Sequence, residues 1–141
     1  MNRINAMRTI RQGMQVLIFY LCLPNMLYAN GLIDHVSTDI EGTNEVVNIF
    51  FNMPVQYLYH TPRGKTKTML LGFYVHNGRE HVSRNRPVAF RKTKYIRDIE
   101  LFFESGFNPH LYFEFNQSVD VTIKPHQDLR GFMVTISRYK Q

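Results

Sequence analysis

Short runs of alternating apolar and polar residues follow one another along most of this chain. Nowhere beyond residue 30 does a 3.6-residue apolar period persist for ten residues. A period of two sends successive side chains to opposite faces of an extended strand, so each run can bury one face. Residues 46–52, 55–60, 67–76, 95–104, 110–116, 119–124 and 132–138 each read as a strand, and 33–40 as an eighth. Turn residues separate them, including Gly42-Thr43-Asn44, Asn52-Met53-Pro54, Thr61-Pro62-Arg63-Gly64, Gly106-Phe107-Asn108-Pro109, Asn116-Gln117-Ser118 and Asp128-Leu129-Arg130-Gly131. Seven or eight strands at roughly ten-residue spacing predict an all-β sandwich or barrel. A chain of 141 residues has room for one such domain.

The pattern also repeats. With 42–59 laid over 106–123, Gly42/Gly106, Asn44/Asn108, Phe51/Phe115, Asn52/Asn116 and Val55/Val119 are identical, five of 18 positions and several times the chance rate. Val47, Ile49 and Phe51 match Leu111, Phe113 and Phe115 in parity, and Val55, Tyr57 and Tyr59 match Val119, Val121 and Ile123. Residues 69–75 and 132–136 match only after a one-residue shift. These observations predict a β-sandwich of two similar antiparallel sheets, a pseudo-duplicated meander packed on its copy. Repeat A spans about 32–76, a connector 77–94 and repeat B about 95–138. The general likeness of β meanders is the competing account.

The first 29 residues read as an address. Arg3, Arg8 and Arg11 precede a run from Met14 to Leu23 that is apolar apart from Gln15, then Pro24 and Ala29. A basic start, a short apolar stretch and a small residue make the layout of a secretory signal peptide. The run is shorter than the about 20 residues needed to span a bilayer. Cleavage after Ala29 and retention as an anchor are both compatible with it. Bulky Phe19-Tyr20-Leu21 argue against a lipidated Cys22, the single cysteine. The remaining single domain, 30–141, would then hold no cysteine and no stable membrane span. A cysteine-free exported domain points to a bacterial periplasm or cell surface.

Charge is the most uneven feature. Between Arg63 and Arg97 lie Arg63, Lys65, Lys67, Arg79, Arg84, Arg86, Arg91, Lys92, Lys94 and Arg97, against the single acid Glu80, a formal +9. The rest of the chain after the signal is net negative. Such a segment, read as a flexible connector at the rim, can hold polyanions by Coulomb attraction that salt weakens. Peptidoglycan carboxylates, anionic headgroups and an acidic protein patch are the candidates; nucleic acid is set aside on location. A purely solubilising loop is the alternative. Phe50, Leu58, Tyr74 and Tyr112 lie on the outward parity and would form a contact patch if their strands were neighbours. The candidate ligand-binding residues are therefore Arg79, Arg84, Arg86, Arg91, Lys92, Lys94, Tyr74 and Tyr112.

Catalytic signals are weak. His35, His60, His76, His81, His110 and His126 have no metal-ligand spacing, and parity turns His60 and His110 outward. No Gly-x-Ser-x-Gly elbow occurs, and Ser37, Ser83, Ser105, Ser118 and Ser137 have no evident partner. Asp98, Glu100 and Glu104 share one strand face, which could mimic a glycosidase carboxylate pair. Ile99, Leu101 and Phe103 opposite them make that face the solvent side. No catalytic residue, metal or cofactor is assigned, and the chain reads as a non-enzyme.

Val47-x-Ile49-x-Phe51-x-x-Pro54-Val55-x-Tyr57, followed by Met69-Leu70-Leu71-Gly72-Phe73, resembles the AMIN-type domain of exported bacterial envelope proteins. The run Pro54-Val55-Gln56-Tyr57-Leu58-Tyr59-His60-Thr61-Pro62 is similar to one that recurs in that family. Val119-x-Val121 to Asp128-Leu129-Arg130-Gly131-Phe132-x-Val134 resembles its last hairpin. The resemblance covers about residues 32–138 and rests mostly on hydrophobic spacing. It implies a sandwich, an envelope location and a targeting role towards peptidoglycan, a secretin, a pilus or a division site. This chain departs from the family in carrying no second domain to target. A lone wall binder and an accessory subunit bound to a protein partner are both compatible.

Overall fold

A computed structural model describes residues 31–76, 86–103 and 106–139. The expected signal peptide, Cys22, Arg79, His81, Ser83, Arg84, Glu104 and Ser105 lie outside the described residues. Within them the chain is all β, with no helix. The strands are β1 (Ile33–Glu41), β2 (Asn44–Phe51), β3 (Val55–Thr61), β4 (Thr66–Val75), β5 (Arg86–Pro87), β6 (Ile96–Phe102), β7 (His110–Pro125) and β8 (Gly131–Arg138). They form one antiparallel sheet of eight strands in the order β1-β2-β8-β7-β4-β3, with β6 also on β7 and β5 on β6.

The 16-residue β7 organises this order. Its first half lies between β4 and β6, and its second half pairs with β8. The predicted break at Asn116-Gln117-Ser118 does not occur. The matching break at Asn52-Met53-Pro54 does, because proline cannot donate to a ladder, and β2 ends three residues earlier, at Phe51. Ser118 stands at Pro54's position in the other half and leaves the strand whole.

The two halves interleave instead of each forming its own sheet. β2 lies against β8 and β4 against β7, so ladders cross between the halves. The repeat survives in the registers. A shift of 64 residues carries Val47 onto Leu111 and Ile49 onto Phe113, while 63 carries Leu71 onto Val134 and Met69 onto Phe132. The pairs Val47↔Val134 and Ile49↔Phe132 thereby become Leu111↔Leu71 and Phe113↔Met69, all of them observed. Val55↔Val75 likewise becomes Val119↔Arg138. Gly42 and Gly106 both hold positive φ, 63° and 83°, a conformation that costs an L side chain energy. Asn52 N–H donates to Leu32 O at 3.0 Å as Asn116 N–H donates to Tyr95 O at 2.8 Å.

The expected inner rows bury as one core. Val47, Ile49, Met69, Leu71, Leu111, Phe113, Phe132 and Val134 are each at most 1% exposed. Phe73 sits 5.0 Å from Phe51 and 5.8 Å from Phe132, so rings from β4, β2 and β8 meet there. Burying one such side chain contributes about 1.5–3 kcal/mol. One expected inner residue is absent from this row. A bulge inserts Leu58 between the pairs Tyr57↔Phe73 and Tyr59↔Gly72, which reverses parity beyond it. Tyr59 turns outward, 47% exposed, and its ring lies over Gly72, where an added Cβ would be 2.4 Å away.

Candidate functional site

The described part of the basic connector begins at Arg86 and is held at each of its ends. β5 adds to the edge of β6 through Arg86↔Leu101 and Pro87↔Glu100, and Val88 N–H donates to Ile99 O at 2.8 Å. The Val88 side chain reaches the core, and Phe90 packs against it. At the far end the buried Glu45 carboxylate accepts Lys94 N–H at 2.7 Å and Tyr95 N–H at 3.1 Å. Asn116 Nδ2 donates to Lys94 O at 3.0 Å. Residues 86–88 and 94–95 of this segment are thus hydrogen-bonded to the sheet. An unpaired N–H in that setting costs about 1–3 kcal/mol, and Glu45 satisfies two.

Between these anchors Arg86, Arg91, Lys92 and Lys94 are exposed. Neither ion pair seen among the described residues, Arg97–Glu114 at 2.9 Å or Asp34–His35 at 2.8 Å, involves them. Lys94 Nζ lies 5.5 Å over the Tyr95 ring, a cation–π contact that still leaves the charge at the surface. Arg86 and Lys94 stand at these anchors with Arg91 and Lys92 between them, and the four, without a carboxylate partner among these pairs, present a positive surface to solvent.

The outward aromatics separate into two places. Tyr112 shares a row with Leu70, Glu100 and Pro87, which sets it two strands from β5 on the outer face. Phe102 lies edge-on to it at 6.2 Å and stacks on His110 at 5.2 Å. Tyr74, 45% exposed, pairs with Gln56 near the β3 edge, with His76 edge-on at 5.1 Å. Leu58 is on the bulge. Phe50 does not join this face, because β8 and β7 stand between β2 and β4. It is instead stacked between His35 at 4.4 Å and His126 at 4.7 Å.

The bulge at Leu58 also moves His60, which was expected to face outward. It pairs with Leu71 on the core-facing row, and a hydrogen bond links Tyr57 Oη to its Nδ1 at 2.8 Å. Burial, and secondarily the Arg63 charge, hold its pKa below the usual 6.5. His110 does face outward. No group of three or more metal-ligating side chains occurs among the described residues.

Asp98 and Glu100 do share the outer face, opposite Glu114 and Tyr112. Asp98 Oδ1 accepts Ile99 N–H at 2.9 Å. An open depression of about 370 Å³ nearby is lined by Lys67, Thr68, Arg97, Glu114, Phe115 and Asn116, and by neither Asp98 nor Glu100. Lys67 and Arg97 lie in register shifts on either side of β7. No helix among the described residues is long and apolar enough to cross a membrane.

Sequence reasoning missed Glu45. A buried carboxylate that caps backbone N–H groups carries the same letter as a surface acid, and only its place beside the core-facing Val47 hinted at burial. No family model, curated protein or solved structure matches the chain.

Proposed function

We propose that this protein is an exported, non-catalytic module of the bacterial cell envelope that binds peptidoglycan or another anionic envelope component through its basic connector. On this reading residues 1–29 are a signal peptide and the strands pack face to face as an AMIN-like β-sandwich. Its location is the periplasm or cell surface. The observation that carries the proposal is the exposure of Arg86, Arg91, Lys92 and Lys94 on a connector anchored at Val88 and Glu45. Fixed cations lose less conformational entropy on binding an anion than mobile ones. Tyr112, on the adjoining face, supplies an aromatic surface for sugar rings.

The test is co-sedimentation of the purified protein with insoluble peptidoglycan sacculi at low and high salt. The expected result is binding that fades with salt. Reversing Arg86, Arg91 and Lys92 to Glu should weaken it by at least roughly tenfold, about 1.4 kcal/mol. Protein left in the supernatant at low salt would end the wall-binding reading. The second reading is an accessory subunit that binds a protein partner, favoured by the edges of β1 and β3, which are open among the described residues. It predicts co-purification with one protein and indifference to those charge reversals.

A further inference from the structure

We propose that the protein self-associates head to tail, the β1 edge of one copy adding to the β3 edge of the next. This does not depend on the wall-binding reading. Among the described residues, β1 and β3 close the two ends of the strand order, and each pairs on one side only. An edge strand leaves alternate N–H and C=O groups available to another strand. β1 carries neither Lys nor Pro, the residues that usually guard such an edge, and Ile40 on it is 79% exposed.

The charges at the two edges are opposite and unmixed. From residue 31 to 62 there is no Lys or Arg, while Asp34, Asp39 and Glu41 are exposed on β1. From residue 46 to 79 there is no Asp or Glu, while Arg63, Lys65 and Lys67 are exposed where β3 turns into β4. Two β1 edges would bring three acids against three. A β1 edge beside a β3 edge brings acids against cations. The bulge at Leu58 irregularises the start of β3, so its end is the receptive part. Parallel alignment sets the Asp39 and Glu41 end of one copy beside Arg63 and Lys65 of the next. It also brings Ile40 towards Tyr59, two exposed apolar side chains. Because the two contacting surfaces differ, the contact is heterologous and repeats along a chain of copies.

Sedimentation velocity over a concentration series at low and high salt, with charge-reversal variants, tests this. Wild type should grow beyond a dimer at low salt and dissociate at high salt. D39K/E41K and R63E/K65E should each be monomeric alone. Mixed, they should co-assemble in alternation and grow beyond a dimer as wild type does, since every contact between unlike copies then sets cations against acids. A wild type that stays monomeric at low salt would overturn the proposal, as would a mixture that stays monomeric. Self-association by R63E/K65E alone would show β1 pairing with β1 and overturn it too. Circular dichroism checks the fold. If a reversal unfolds, D39N/E41Q and R63Q/K65Q replace the pair; each must weaken association and reduce its salt dependence, and failure to do so refutes the proposal.

Discussion

Residues 42–59 and 106–123 align without a gap, yet one stretch breaks at Pro54 and the other runs through Ser118 as a single strand. The inner rows, the positive-φ glycines and the ladder registers agree between them. What differs is whether the backbone can keep donating hydrogen bonds across the middle. In the first half β2 and β3 part after Phe51 and pair with different neighbours, β8 and β4. In the second half one unbroken strand serves β4, β6 and β8. Matching apolar rows are therefore enough to keep a register, while one proline decides how strands are shared.

The largest effect expected from breaking this likeness lies in the core. Ile49 and Phe113 are equivalent under the 64-residue shift and both fully buried. Phe113→Ala should cost about 3–5 kcal/mol and Ile49→Ala about 2–5 kcal/mol in urea unfolding. Both should shift one cooperative transition, because the halves share ladders. Two separate transitions would mean that the halves fold independently.

Exchanging the residues at the break sharpens the comparison. Ser118→Pro removes a backbone N–H within β7 and should cost about 1–3 kcal/mol. Pro54→Ser should change stability by less than about 1 kcal/mol, since the chain there is already broken. Equal effects would show that the continuity of β7 contributes nothing.

Most of the fold was legible because a period of two leaves few choices once an apolar row is fixed. Val47, Ile49 and Phe51, with Leu111, Phe113 and Phe115, are buried as their parity implied. The bulge was not legible: one extra residue, Leu58, looks like any other strand residue yet sends Tyr59 out and His60 in. Asn116-Gln117-Ser118 has turn composition without turn geometry, because no proline forces one. The interleaving was hidden for a related reason, since two similar halves offer equally apolar partners within and across the repeat. Of the candidate site, the exposure of Arg86, Arg91, Lys92 and Lys94 was legible from charge alone. Their anchoring by Glu45 was not, since it depends on two residues about fifty apart.

Smaller effects are expected at the turns. Gly42→Ala and Gly106→Ala should each cost about 1 kcal/mol, because both glycines hold positive φ in otherwise open space. A large difference between the two would limit the likeness to the strands. The smallest effect concerns His60, whose bulge has no counterpart in the β7–β8 ladder. Its pKa is lower folded than the usual 6.5, chiefly through burial. The unfolded chain therefore binds the proton more readily. Stability from this group is complete above about pH 6.5 and is lost as pH falls towards the folded value. His60→Gln should flatten that part of the pH–stability curve, measured by thermal unfolding.

The central functional claim sets the fastened basic connector apart from the acidic β1 edge. Hydrogen–deuterium exchange of the full-length protein, with and without soluble peptidoglycan fragments, tests it most directly. The account predicts slowed exchange over residues 86–95 and unchanged exchange in β1. Protection confined to β1, or none anywhere while the fragments are bound, would contradict it.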